Sequence, residues 1–216
     1  MTRRMRKLSV IVTILLVFYV AFHYVEYRRF QLGKTRPIDT KGQPRYSRGV
    51  IELVVFQDFR CVGCKYFQDH IFPRLKVKFF DLEKVSYVVI PLAFLLGSVK
   101  VSHLALSIHL ADPAYFFPFV EKVYEHPFWN NSTSYAALLQ QASTLSGINI
   151  KAVKAASRYS AAPALDRNFA QAKKVMGKVA TPGIFVNGVD VSELSQKDLM
   201  RYIDTKLWEL RRSGVR

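Results

Sequence analysis

The sequence predicts one α/β domain whose sheet is interrupted by a helical subdomain. Three observations carry that reading. Two apolar, β-branched runs, VIELVVFQ at 50–57 and VSYVVIPLAF at 85–94, have the near-continuous hydrophobicity of strands buried on both faces. Residues 98–177 then pass without a convincing strand. After them TPGIFVNGVDV, 181–191, supplies a short strand, an Asn187-Gly188 turn and a returning strand.

The 216 residues have room for one domain and an appendage, and half of them are apolar, enough for a real core. The net charge of +16 is unevenly placed: residues 1–48 hold eleven Lys/Arg against two acids, a net +9. A basic balance raises the question of nucleic acid. No interleaved basic–aromatic motif, zinc finger or helix-turn-helix signature is present, so no nucleic-acid partner is expected. The basic flanks of the N-terminal apolar segment account for much of the charge.

The basic stretch 1–7 precedes LSVIVTILLVFYVAFHYV, 8–25, which carries no formal charge. About 17–25 apolar residues cross a bilayer as a helix, whereas a signal peptide's apolar region is shorter and ends in a small-x-small site. No such site follows, so 8–25 is expected to be an uncleaved transmembrane signal anchor in contact with the lipid bilayer. Flanking charges leave its orientation ambiguous, because six cations follow the span closely. Residues 26–48 are polar, basic and broken by Gly33, Pro37, Gly42 and Pro44. They read as a linker, ending in a short edge strand.

The domain proper is expected over 49–212. From Cys61 a helical pattern begins, with Tyr66, Phe67, Ile71 and Leu75 on one side and a kink or division at Pro73. The strandless block contains VKVSHLALSIHLA, PAYFFPFVEKVY, SYAALLQQAS and ALDRNFAQAKKVMG, all suited to helices and separated by Pro113, Pro127, Gly147 and Pro163. SQKDLMRYIDTKLWELRR, 195–212, is a final amphipathic helix with Ser195 as its N-cap.

The two cysteines of the chain, Cys61 and Cys64, stand three apart at the strand-to-helix junction. A cysteine there faces backbone N–H groups with no intrahelical partner, and the helix dipole favours its thiolate. Arg60 and Lys65 push the same way and Asp58 against. The spacing lets Cys64 attack a mixed disulfide formed on Cys61, making Cys61 the nucleophile and Cys64 the resolving thiol. Zinc would need four ligands, and neither a second CxxC nor a paired histidine is present. Thr181-Pro182 opens the third strand, where proline is tolerated. A cis bond there would set the Thr181 backbone against the reactive sulfur.

VVFQDFRCVGCKYF and GKVATPGIFVNG, with a helical block between them, resemble the DsbA-like thiol:disulfide oxidoreductases of the thioredoxin superfamily, in particular membrane-anchored members. The resemblance implies a thioredoxin fold and a Cys61–Cys64 redox centre faced by cis-Pro182, without metal or cofactor. It also implies cysteine-containing protein substrates docking beside Pro182, and a membrane redox partner that recharges the pair. The domain would lie on the periplasmic or extracellular side of the cytoplasmic membrane on a single-pass anchor. The helical insert favours an oxidase over a reductase. Two departures bear on redox poise. Val62-Gly63 stands where many members have Pro-His, which predicts a less oxidising pair. Val55 stands where many have a buried acid, so that Glu52 or water substitutes, or Cys64 is activated more slowly. A metal-handling, copper-binding thiol chaperone using Cys61, Cys64 and a distant histidine is the alternative, and a non-catalytic adaptor a third reading.

Overall fold

β1 (Ile51–Asp58) is the central line of the domain in the computed structural model, which describes residues 12–22, 34–125 and 134–214. It pairs in parallel with β2 (Val85–Leu92) and antiparallel with β3 (Gly183–Val186). β3 pairs antiparallel with β4 (Val189–Asp190), so the sheet order is β2-β1-β3-β4. Parallel neighbours need a crossover rather than a hairpin. Here it is a helical run from Val62 to Phe80, α1. In it α-helical turns (Val62–Tyr66, Phe72–Leu75) alternate with wider π-type turns (Phe67–Ile71, Lys76–Phe80). Pro73 has no N–H and would press on the Asp69 carbonyl in a regular helix. The expected kink therefore takes the form of a widened turn, in which the Phe72 N–H bonds to the Phe67 carbonyl five residues back.

The block between β2 and β3 consists of helices and their connecting turns among its described residues. It comprises α2 (Ser98–Ala111), a 3-10 turn (Pro113–Tyr115), α3 (Phe116–Glu125), α4 (Tyr135–Ser143), α5 (Ile150–Tyr159) and α6 (Ala161–Met176). The helix α5 escaped the sequence pattern because it buries only Val153. Pro163 does not separate helices as expected; it sits in the first turn of α6, where a missing N–H costs nothing. The β3–β4 turn is the anticipated Asn187-Gly188 pair, both with positive φ (48° and 77°). α7 (Gln196–Arg212) follows, capped by Ser195 Oγ accepting from the Asp198 N–H at 3.2 Å.

Alternation along β1 sends Val54 and Phe56 to one face and Leu53, Val55 and Gln57 to the other. Val54 and Phe56 join Val88, Ile90, Leu92 and Phe185 against Ala172 and Val175 of α6. An aromatic cluster holds the sheet to α1: Tyr87 of β2 stacks on Phe80 at 4.9 Å and meets Phe72 at 5.2 Å between ring centroids. Such pairs are worth about 0.5–1.5 kcal/mol each beyond the area they bury.

Two expectations about the N-terminal region change. Residues 36–48 are not a free linker but belong to the packed unit Arg36–Arg216. The Arg36 N–H donates to the Gly188 carbonyl (2.8 Å), Ile38 packs on the core, and Arg45 bridges Val88 at the outer edge of β2. Tyr46 enters the aromatic cluster, 5.6 Å from Phe72 and 5.2 Å from Phe117. Two apolar anchors in a polar segment were enough to dock it. Residues 12–22, described apart from that unit, form a helix with exposed apolar side chains. Among the described residues no helix is long and apolar enough to cross a membrane. The anchor expected over 8–25 falls partly outside them, at 8–11 and 23–25, as do linker residues 26–33.

Tyr87 Oη is fully buried and has no hydrogen-bond partner. Removing such a group removes its desolvation penalty, so Tyr87→Phe should raise the unfolding free energy by about 1 kcal/mol. Urea denaturation measures this, and a lower midpoint in the variant would contradict the assignment.

Candidate active site

Beyond Asp58 the chain turns through Phe59 and Arg60 into α1, and Asp58 fastens that turn. Its carboxylate is fully buried: Oδ1 accepts from the Arg60 N–H (2.9 Å), Oδ2 from the N–H groups of Phe94 (3.0 Å) and Leu95 (3.1 Å). Its carbonyl accepts from the Cys61 N–H at 3.0 Å. The end of β1 is thereby tied to the loop that follows β2. Asp58 was expected to oppose the Cys61 thiolate, but its charge is taken up by backbone donors.

Cys61 is the N-cap of α1, with extended backbone (φ −81°, ψ 125°). Its partly exposed thiol donates to the Thr181 carbonyl oxygen at 3.1 Å, a contact across 120 residues. The Thr181–Pro182 peptide bond is cis. Val62 is 71% exposed, and Cys64 is fully buried one turn into the helix. A Cβ at Gly63 would stand 2.9 Å from Pro182 Cδ, 3.6 Å from the Thr181 carbonyl oxygen and 3.7 Å from Cys61 Sγ. Gly63 therefore does more than loosen the first turn; the space of its missing side chain is where the Thr181–Pro182 segment fits.

The two sulfurs are opposite in character. The Cys61 thiol is lowered to about 5, first by a hydrogen bond from Cys64, against partial burial, then by the Thr181 hydroxyl and the N–H groups of Cys64 and Gly63. These last two are the first-turn donors expected to face the N-cap. Cys64 is pushed well above the usual thiol range, chiefly by burial, then by its hydrogen bond to Cys61 and the charge there. Arg60 and Lys65, expected to promote the thiolate, are not its main supports. Lys65 Nζ is held by Asp69 Oδ2 (2.8 Å) and the Tyr124 carbonyl (2.8 Å).

Val55 is a fully buried core residue, and Glu52 does not stand in for an acid near Cys64. Its carboxylate, at the opposite end of β1, accepts from Thr40 Oγ1 and Arg45 Nη2, both at 3.0 Å. Sequence reasoning missed Gln57 and Tyr124, both buried, joined by a 2.6 Å hydrogen bond from Gln57 Nε2 to Tyr124 Oη. The signal was available for Gln57, an amide at the end of an otherwise apolar strand. Among the described residues no group of three or more His, Cys, Asp or Glu is placed to hold a metal ion.

A CxxC at a helix N-terminus, a cis-proline just before the neighbouring strand β3 and a helical insert between β2 and β3 make up a thioredoxin fold. A family model described as Thioredoxin matches residues 50–205, and the chain belongs to that family. A Rickettsia typhi protein provisionally named a protein-disulfide oxidoreductase is 28% identical over 149 residues, 68% of this chain and 54% of its own length. Disulfide bond formation protein D of Bacillus subtilis is 31% identical over 88 residues, 39% of this chain and 40% of that protein. The chain thus spans about half the length of the curated relatives it matches. Among solved structures, oxidised BdbD of Bacillus subtilis superposes with a TM-score of 0.70 at 23% identity, covering 80% of this chain and 97% of BdbD. DsbA of Chlamydia trachomatis does so at 0.68 and 22%, covering 82% and 95%. Both establish the fold.

Alkylation of the reduced protein by iodoacetamide should modify Cys61 and spare Cys64, with a rate that rises through an inflection near pH 5. Thr181→Val should move the inflection upward by removing the hydroxyl. Because the folded thiol ionises below its unfolded range, the reduced fold gains stability that is complete above the unfolded pKa. That gain is lost as pH falls through about 5. An inflection at the ordinary thiol pH would refute the assigned hydrogen bonds.

Proposed function

We propose that this chain is an extracytoplasmic thiol:disulfide oxidoreductase acting on cysteine-containing proteins, and that it works as an oxidase. The observation that carries the reading is the asymmetry of the pair: a partly exposed Cys61 lowered to about 5 beside a fully buried Cys64. A substrate thiolate reaches only the Cys61 sulfur of the disulfide. Attack there forms a mixed disulfide and releases Cys64; a second substrate thiolate then expels Cys61. A low-pKa thiol leaves readily, and a stabilised thiolate favours the reduced enzyme, which makes its disulfide an oxidant. Cys64, Thr181 and the first-turn N–H groups provide support that the absent Pro-His histidine does not. The carbonyl of Thr181 beside the sulfur, with Pro182 following, offers an acceptor for a substrate backbone N–H.

The oxidised protein should form disulfides in a reduced, unfolded substrate. Cys61→Ser should abolish this, lowering the rate by at least about a hundredfold. Given a disulfide-bonded substrate instead, Cys64→Ser should accumulate a mixed disulfide, seen as a reductant-sensitive band on gel electrophoresis, because the Cys61 thiolate attacks the substrate disulfide and no second thiol resolves it. Activity that survives Cys61→Ser would reject the redox assignment. Thiol trapping in cells that found mostly dithiol would turn the direction to reductase.

The anchor reading of 8–25 rests on its length, its lack of charge and the helix described over 12–22. With the domain exported, the membrane partner that recharges the pair is also reached on that side. Alkaline phosphatase fused after residue 216 should be active, since the enzyme requires export. A stable but inactive fusion would overturn the topology.

A further inference from the structure

Gly63, the residue before Cys64, has no side chain to offer the exchange steps above, yet the site is built around the place where one would be. Its backbone lies in the first turn of α1 with φ outside the left-handed region, so nothing in its conformation calls for glycine. Helix propensity argues against it, since glycine in a helix is less favourable than alanine. The packing explains it instead. A Cβ at Gly63 would stand 2.9 Å from Pro182 Cδ, closer than side-chain carbons approach in folded proteins, with the Thr181 carbonyl oxygen and Cys61 Sγ next at 3.6 and 3.7 Å. Pro182 Cδ cannot swing aside, because the ring closes on the backbone nitrogen. The segment has little room to retreat as a whole. Gly183 pairs with Phe56 of β1, and a Cβ on Gly183 would stand 2.8 Å from Met176 Sδ of α6.

We propose that Gly63 is a positioning residue whose missing side chain seats Thr181 against Cys61 and so fixes the 3.1 Å contact between the Cys61 sulfur and the Thr181 carbonyl oxygen. The proposal rests on the exchange reading and names what holds the acceptor for a substrate backbone in place beside the reactive sulfur. In the reduced protein the carbonyl accepts from the Cys61 thiol. Once Cys61 is a thiolate, or is joined to another sulfur, that proton is gone and the carbonyl is free for a substrate N–H. Thr181 thus serves the thiolate through its hydroxyl and the substrate through its carbonyl. Both depend on how closely the segment approaches the first turn of α1. A methyl group at position 63 keeps the backbone N–H that faces Cys61, and its close contact falls on that segment.

The test uses the full chain. In Gly63→Ala the inflection of Cys61 alkylation should move upward by about one pH unit, the scale of one hydrogen bond to a charged group. Reaction of the oxidised protein with a cysteine-containing peptide should slow about fivefold, the scale of one neutral hydrogen bond. Mercaptoethanol, which has no backbone N–H to offer, should react at nearly the wild-type rate. A merely structural role for Gly63 would lower stability in urea and move neither the pH profile nor the ratio of peptide to mercaptoethanol rates. Pro182→Ala removes the Cδ that the added methyl would meet, so Gly63→Ala should shift the inflection little in a Pro182→Ala background. If Gly63→Ala alone does not fold by circular dichroism, that pair decides. A double variant as well folded as Pro182→Ala supports the proposal, and one as unfolded as Gly63→Ala overturns it. An unmoved inflection, or an unchanged ratio of rates, in folded Gly63→Ala also overturns it. Failure of the exchange reading itself looks different: the wild-type protein would form no mixed disulfide with either thiol.

Discussion

The antiparallel pairing of β1 with β3 is the constraint from which the site follows. Phe56 stands opposite Gly183, so the end of β1 and the start of β3 lie at the same end of the sheet. Pro182 and Thr181 precede that pair by one and two residues, while Cys61 lies just beyond it on the other chain segment. A slip of one residue would reverse the faces of β3 and carry Thr181 away from the sulfur. The register is pinned at both ends. At the far end Asn187 exchanges hydrogen bonds with the Glu52 backbone, through its side-chain oxygen (2.8 Å) and its N–H (2.8 Å). At the near end the buried carboxylate of Asp58 holds the turn into α1 and the loop after β2.

With that frame in place, a difference of one helical turn separates the chemistry of two identical side chains. Cys61, at the N-cap, meets solvent on one side and hydrogen-bond donors on the other. Cys64, three residues on, points into the domain and loses its hydration. Desolvation disfavours the charged form and donors favour it, so the same thiol is lowered at one position and raised at the other. Each sulfur also depends on its partner, since the Cys64 thiol is the largest support of the Cys61 thiolate. The helical insert contributes directly. α3 brings Tyr124 beneath the turn, and Ser102 of α2 anchors the insert to the Leu92 carbonyl at 2.6 Å.

Much of this was legible in the chain. The strands 50–57 and 85–94, the strandless block and the Asn187-Gly188 turn announced themselves because burial on both faces and positive φ leave strong local signatures. Cys61 and Cys64 could be named as a pair from their spacing at the start of a helix, and Thr181 and Pro182 through the resemblance to a known family. The tuning residues were less legible. Arg60, Lys65 and Asp58 were judged by charge and nearness in sequence, yet Lys65 turns to Asp69 and the Tyr124 carbonyl, and Asp58 to three backbone N–H groups. Proximity along the chain does not say which way a long side chain points or what has already claimed it. The segment 36–48 misled for a related reason: its composition is that of a linker, and only Ile38 and Tyr46 reveal what it packs on.

By itself, then, the sequence determined the order of the elements, the burial of the central strands and the presence of a thiol pair where a helix begins. These depend on periodicity, backbone preference and spacing, which are local properties. The tertiary structure decided the ionisation of that pair, the use of Gly63 as the seat of the Thr181–Pro182 segment, and the joining of Gln57 to Tyr124 next to Phe59 and Lys65. These depend on hydrogen bonds and burial between residues far apart in the chain, which only the packed sheet and its insert bring into contact.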